Sequence, residues 1–306
     1  MLNRDVFIKR HKAYAGKWIY QGYKNAWNKL GYNAQYYDRI EELENASQGF
    51  YLMAMDADIH NDKSTKIIQK SQKTFLYAQP NIFPSPWGAH PNFVCHCPDD
   101  FIDMLNKMTN VVLWSFANIN TEFYTKWANV NTVPLAFDDS LYKPQEDAKY
   151  KFDVCFIGGW ANNGFNEKQE IMLQHFAEFK ESGLKCGFFI NRNISQEMEN
   201  RLLYNSKVSI NIHDAYQRIL GLDTNERTFK SLGLNGILIS DNIQQIKDIL
   251  PTHLVEIVDT PKEMVNKIKF YISMDNDERE SVKNKNRDLI LKEHCYTNRV
   301  QTLLTL

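Results

Sequence analysis

The sequence runs to 306 residues, 43% apolar and 24% charged, with 36 basic and 37 acidic side chains and a formal net charge of -1. That length suggests two domains of roughly 140 to 160 residues, and the composition excludes a largely disordered chain. Near-neutrality excludes a global field that would draw the protein to nucleic acid or an anionic membrane, although a local basic patch remains open.

No apolar run approaches the roughly 20 residues that span a bilayer, and the opening MLNRDVFIKRHK is too polar for a secretory signal, so a cytoplasmic protein is expected. Val6 to Lys9 reads as a short strand, followed by the loop HKAYAG and a helix from about Gly16 to Leu30. Tyr20, Tyr23, Trp27 and Leu30 recur there at helical spacing, which predicts one buried face. Ala34 to Tyr37 and Phe50 to Asp56 are the next strands. The second ends in Asp56-Ala-Asp58-Ile-His60, where open α/β sheets bind ligands, although turn chemistry explains the same residues. A helix over 63–70 and the strand Phe75 to Ala78 lead into a loop, Pro80 to Pro91, too rich in proline for regular structure and long enough to be functional or to cover something. Cys95-His96-Cys97 resembles a metal site, but on a strand the two thiols and the imidazole face opposite ways, so core thiols are expected and no metal. A helix over 99–108, the strand Val111 to Phe116, a helix near Thr121 to Trp127 and a strand over 131–137 complete the first half. The polar stretch from Asp138 to Asp147 marks a boundary.

The second half opens with FDVCFIG over 152–158, apolar enough to be buried on both faces of a parallel sheet. Gly158-Gly159-Trp160 then leads through Gly164 to a helix from about Asn166, a possible phosphate cradle that lacks the G-x-G-x-x-G fingerprint. Strands at 186–190, 208–212, 236–240 and 254–258 alternate with helices at 196–204, 226–234, from Ile243 and from Thr260. Thr260-Pro-Lys-Glu263 forms a capping box with proline at the first helical position. Such alternation implies parallel sheets with right-handed crossovers. The tail from Asp277 to Leu306 is helical and charged.

The most polar loop, 213–228, carries His213, Asp214, Arg218, Asp223, Thr224, Asn225, Glu226, Arg227 and Thr228. Arg227 near a helix N-terminus favours an anion such as a diphosphate, whereas Thr224 or Asn225 as an ordinary cap with a solvated Arg227 fits the spacing equally well.

Asn225-Glu-Arg227-Thr-Phe229, the small-residue helix, Gly236, the apolar strand and Ser-Asp241 resemble the donor-site segment of GT-B glycosyltransferases, in particular the spore-maturation-type, glycosyltransferase-family-1-like group. NSKVSINIH upstream, and Pro134-Leu-Ala-Phe-Asp138 with Asp153-Val-Cys-Phe-Ile-Gly158, resemble the same group, so the likeness covers about residues 130–305. It implies an α/β protein of GT-B architecture, two Rossmann-like parallel-sheet domains facing across a cleft. These would be an acceptor-side domain over 1–140, a nucleotide-sugar domain over 141–285, and a helix over 286–306 packing back on the first.

The implied activity is metal-independent transfer of a hexosyl or pentosyl group from a nucleotide-diphosphate sugar to a hydroxyl, with no cofactor. Gly158, Gly159 and Trp160 would lie by the phosphates, Arg227 would neutralise the diphosphate, and Asn225 and Thr228 would help hold it, alongside His213 and Arg218. Lys230 stands where the family pattern has Glu, so either Glu226 substitutes in ribose binding or Lys230 adds charge near the phosphates. Asp56, His11 and His90 are the candidate bases for an acceptor hydroxyl. The acceptor, a glycan, a protein or a modified DNA base as in some phage enzymes of this architecture, stays open, as does an inactive binding module.

Overall fold

The computed structural model describes residues 3–12, 14–160 and 167–306 and divides the chain into two compact units. Unit 1 comprises residues up to Leu135 together with Tyr296–Leu306; unit 2 comprises Ala136–Cys295.

Unit 1 contains β1 (Asp5–Lys9), α1 (Tyr14–Lys29), β2 (Asn33–Tyr37), β3 (Tyr51–Met55), α2 (Asp62–Lys70), β4 (Lys73–Tyr77), α3 (Asp99–Leu105), β5 (Val111–Ser115) and β6 (Asn131–Thr132). The strands form one parallel sheet in the order β2-β1-β3-β4-β5-β6. Burial of Tyr20, Tyr23 and Trp27 on α1 follows the predicted stripe. Two elements differ from the sequence expectation. Residues 121–127 form turns, not a helix, and the strand expected over 131–137 is confined to β6 because Pro134 has no amide to donate. Within the proline-rich segment and just after it the chain makes two short 3-10 turns, Trp87–Ala89 and Pro91–Phe93.

Unit 2 runs through β7 (Val154–Gly158), α4 (Lys168–Ser182), β8 (Cys186–Ile190), α5 (Gln196–Asn205), β9 (Val208–Asn211), α6 (Ala215–Leu220), α7 (Glu226–Leu234), β10 (Leu238–Asp241), α8 (Gln244–Ile249), β11 (Val255–Val258), α9 (Pro261–Ser273) and α10 (Asn276–Glu293). Its sheet is parallel in the order β11-β10-β9-β7-β8. β7 and β9 are buried except for Gly158, as expected of strands covered on both faces. Thr260 caps α9 as expected, its Oγ1 accepting from the Glu263 amide at 3.2 Å, but the return bond of the box is displaced by one residue: Glu263 accepts from the Asp259 amide at 2.9 Å instead of that of Thr260. The polar loop after β9 holds the short helix α6, which ends at Gly221 in the left-handed region with φ 68°. Gly164 and the start of the helix expected from Asn166 lie outside the described residues.

The last helix, α11 (Tyr296–Thr305), belongs to unit 1, so the returning segment starts later than the boundary at 286 read from the sequence. Tyr296 packs edge-on against Tyr23 at 4.9 Å, and Arg299 Nε donates to the Pro134 carbonyl at 2.9 Å. A Cβ on Gly22 would stand 2.3 Å from the Tyr296 ring, so only glycine lets α1 and α11 approach this closely.

Candidate functional site

The C-terminal ends of β7, β9 and β10 in unit 2 converge on Arg227, the second residue of α7. Its Nε donates to the Ile157 carbonyl at 2.7 Å and its Nη1 to Asn211 Oδ1 at 2.8 Å, while the guanidinium lies 4.6 Å over the Phe156 ring. Nη2 lies against Gly158, where a Cβ would approach it to 2.2 Å. Every one of these partners is neutral. Burial lowers the pKa of Arg227, with Glu226 and Asp214 opposing from a distance, yet among the described residues no carboxylate pairs with it. A fixed positive charge with unsatisfied electrostatic demand therefore sits beside a glycine turn.

The helix beneath it is uncapped. Asn225 occupies the capping position, but its side chain accepts nothing from the α7 amides. It exchanges hydrogen bonds with Asn211 instead, at 2.9 and 3.3 Å. Simple capping is thus not what Asn225 does, and the first-turn amides of α7 keep their dipole available for an anion.

A buried relay fixes Asn211. His213 Nδ1 faces Asp241 Oδ1 at 2.5 Å, and its backbone amide donates to Asp241 Oδ2 at 2.9 Å. Nδ1 therefore carries the proton, and Nε2 accepts from the Thr224 hydroxyl at 2.8 Å. Thr224 in turn accepts from Thr228 at 2.5 Å, and Thr228 from Asn211 Nδ2 at 2.9 Å. All donors then point one way, leaving Asn211 Oδ1 for Arg227. Burial lowers the His213 pKa and favours the neutral ring, while Asp241, against the pull of its own burial, is held well below the usual carboxylate range by His213. His213 is 0% exposed, so the expectation of a donor contact is corrected: it positions Asn211 and Arg227 from within.

Lys230 is also corrected. It is clamped between Glu199 at 2.6 Å and Glu226 at 3.1 Å, beneath the Tyr142 ring, so both Lys230 and Glu226 are occupied with each other. Burial acts to lower the Lys230 pKa, but Glu199 and Glu226 outweigh it and the net shift is upward. Arg218 is partly exposed and lies 3.5 Å from Asp241. Thr228 is buried in the relay; Asn191 Oδ1 accepts from the Trp160 amide at 3.1 Å and lies so close to Gly159 that a Cβ there would stand 2.2 Å from it. The rest of that turn, 161–166, lies outside the described residues.

Two residues were missed in the sequence. Asn211 had a signal, being a polar side chain at the end of a buried apolar strand. Lys168 had none: its ammonium donates to the Ile212 carbonyl and lies 3.3 Å from Asp214, and burial lowers its pKa to about 8.

In unit 1 the candidate bases are placed differently from one another. Asp56 is 0% exposed, accepts from the Gln79 amide at 2.9 Å, and is pushed up to about 6 by burial, against which the Gln79 amide and Cys95 act. His11 is partly exposed and stacks parallel on Tyr20, at 6.1 Å between centroids. Burial, with smaller contributions from Tyr23, Asp58 and Asp56, raises the Tyr20 pKa. His90 stands apart in this arrangement, accepting from the Asn92 amide at 3.2 Å and packing on Phe93. Cys95, His96 and Cys97 do not converge: His96 bonds to the Pro91 carbonyl and Cys97 Sγ to the Ile59 carbonyl. Among the described residues no group of three His, Cys, Asp or Glu side chains is placed to hold a metal ion, and no helix is long and apolar enough to cross a membrane.

Two parallel-sheet α/β units with an arginine site at the strand ends define the GT-B class, and solved structures agree across nearly the whole chain. The T4 phage beta-glucosyltransferase with its UDP-glucose substrate matches with TM-score 0.54 at 12% identity, over 97% of this chain and 96% of that one. An alpha-glucosyltransferase with UDP and a 13-mer DNA containing an HMU base matches with TM-score 0.61 at 12% identity, over 98% of both chains. HepE of Anabaena, with UDP and glucose, matches with TM-score 0.55 at 8% identity, over 99% of this chain and 98% of that one. No curated protein matches in sequence. The model of the family described as "Glycosyl transferase-like" matches residues 148–305, just over half of the chain. The chain belongs to this family, and the protein is a glycosyltransferase.

Proposed function

We propose that the protein moves a sugar from a nucleoside-diphosphate sugar to an acceptor hydroxyl, with the diphosphate held at Arg227 and the N-terminus of α7. The observation that carries this reading is Arg227 itself, held by three neutral contacts and lacking a carboxylate partner. Departure of a nucleoside diphosphate is fast only if its developing charge is met by preorganised positive groups, and Arg227 with the uncapped N-terminus of α7 would supply them without a metal ion. Proton removal from the acceptor falls to His11, the partly exposed imidazole stacked on Tyr20, or to Asp56, the carboxylate tuned toward neutrality.

A thermal-shift screen against nucleoside diphosphates and their sugars tests the donor site, since a ligand at 100 times its dissociation constant adds about 2.7 kcal/mol. Wild type should be stabilised by at least one of them, and Arg227→Ala should lose that shift while keeping its own unfolding transition. Equal affinity in the mutant would return Arg227 to a purely structural role. Binding without transfer or hydrolysis would favour an inactive module.

A second reading names the acceptor. The T4 beta-glucosyltransferase is a DNA modifying enzyme and the alpha-glucosyltransferase was solved with HMU-containing DNA, and both align end to end with this chain. A hydroxymethylated DNA base is on that ground the acceptor to try first. Sugar transfer from UDP-glucose to an HMU-containing duplex, against an unmodified duplex as control, decides it.

A further inference from the structure

At the other end of β9 from Asn211, unit 2 has a second polar cavity of about 390 Å³. Its walls come from the segment before β7 (Glu146, Asp147, Lys151), the end of α5 with the residues leading into β9 (Tyr204, Lys207), and the first turns of α10 (Arg279, Lys283).

One face of α10 carries Arg279, Lys283 and Arg287, spaced four apart so that they stack along the helix. All three are buried, Arg279 at 6% and Arg287 at 9% exposure. Lys283 donates to the Tyr204 and Ser206 carbonyls at 3.3 and 3.1 Å and lies 3.4 Å from Glu280. The two arginines have only neutral partners. Arg279 donates to the Met274 carbonyl at 3.1 Å and to Asn276 Oδ1 at 2.7 Å, leaving its Nε buried with no partner. Arg287 donates to Asn284 Oδ1 and lies 4.9 Å over the Tyr204 ring, leaving its Nη1 likewise. Among the described residues neither guanidinium is paired with a carboxylate. The other charges of the cavity are largely spoken for: Lys207 pairs with Asp153 at 2.8 Å and Asp147 with Arg201 at 3.8 Å.

Three buried cations sharing one carboxylate is a costly arrangement unless an anion completes it. The Arg279 guanidinium fork beside the Lys283 ammonium matches the several oxygens of a phosphoryl group better than a single carboxylate. The volume suits a ligand larger than the bare ion, and Glu146, which lines the same cavity, is an acceptor suited to hydroxyl groups. We propose that this cavity is a second anion site of the protein, taking a small phosphate monoester that bears hydroxyls, a sugar phosphate by chemistry. The strain of the cluster shows on Lys283, whose pKa burial lowers to about 8, with Arg287 and Arg279 adding to the effect and Glu280 opposing it. A bound dianion meets Arg279 and Lys283, the two of the three that line the cavity.

Calorimetry on the full-length chain with inorganic phosphate, glucose 6-phosphate and uncharged glucose tests the site. Glucose 6-phosphate should bind more tightly than phosphate, and glucose should not bind. Arg279→Gln should weaken glucose 6-phosphate at least about tenfold while leaving UDP affinity unchanged. Because Arg279→Gln can also fail to fold, Lys151→Glu, an exposed change at the rim, should weaken the same ligand several-fold in a fully folded protein. No binding of either phosphate, or affinity unchanged in both variants, overturns the proposal. So does binding that is lost only in Arg227→Ala, which would place the phosphate in the donor site.

Discussion

Single side chains in this protein are read wrongly when their partners are distant in sequence. His213 and Lys230 both look like ligand contacts in a polar loop, and both are spent internally, on Asp241 and on Glu199, which enter from other elements. The helix position of Arg227 and the sequence pattern around Gly158 are local facts, but its bonds to the Ile157 carbonyl and Asn211, which hold it by neutral partners, come from other elements and were not legible. Asp56 allows a sharper test at this scale. Its folded value near 6 lies above the ordinary 3.8, so protonation favours the fold and the burial penalty is fully present only above about pH 6. Asp56→Asn should therefore stabilise the protein by on the order of 2 kcal/mol at pH 8, the advantage shrinking as pH falls through that window and vanishing below 3.8. Urea unfolding at pH 8 and pH 3.5 measures it; a pH-independent difference would show that the carboxylate is not the destabilised group. If Asp56 belongs to the acceptor machinery, the same variant loses transfer while gaining stability.

At the scale of elements, strands and helices were legible wherever apolar period and caps agree. β7, β9 and the Thr260 cap needed no tertiary information, whereas α6 was hidden in a loop whose polar residues serve the buried relay rather than solvent. The expected helix near Thr121 failed because that segment's aromatic residues, Tyr124 and Trp127, are anchored by side-chain bonds to Ser115 and the Gln79 carbonyl. The junction of β7 with α7 carries its own prediction. Gly158→Ala would put a methyl group 2.2 Å from Arg227 Nη2, and the flexible end of the arginine is what must yield. The variant should keep the melting temperature within a few degrees and lose nucleoside-diphosphate affinity by about tenfold or more. Unchanged affinity would show that Arg227 binds in another rotamer.

At the scale of the molecule, two domains followed from length and from two runs of alternating strands and helices. The exchange of the final helix did not, because α10 and α11 are separated only by His294 and Cys295 and the tail reads as one charged helical stretch. Deleting residues 296–306 should destabilise unit 1 selectively, since Tyr23 loses the Tyr296 ring and the 134–135 carbonyls lose Arg299. Limited proteolysis should then clear residues 3–135 first while a fragment spanning 136–295 persists; loss of both at equal rates would refute independent units.

The membership of α11 in unit 1 also sets a timetable for biosynthesis. Chains leaving the ribosome usually finish their domains in reading order. Here unit 1 cannot be completed until residues 296–306 emerge, so unit 2, translated in between, can mature while unit 1 still waits with its Tyr23 and Gly22 surface open. Nascent chains of this protein should therefore depend on chaperone cover over residues 3–135 for longer than over residues 136–295.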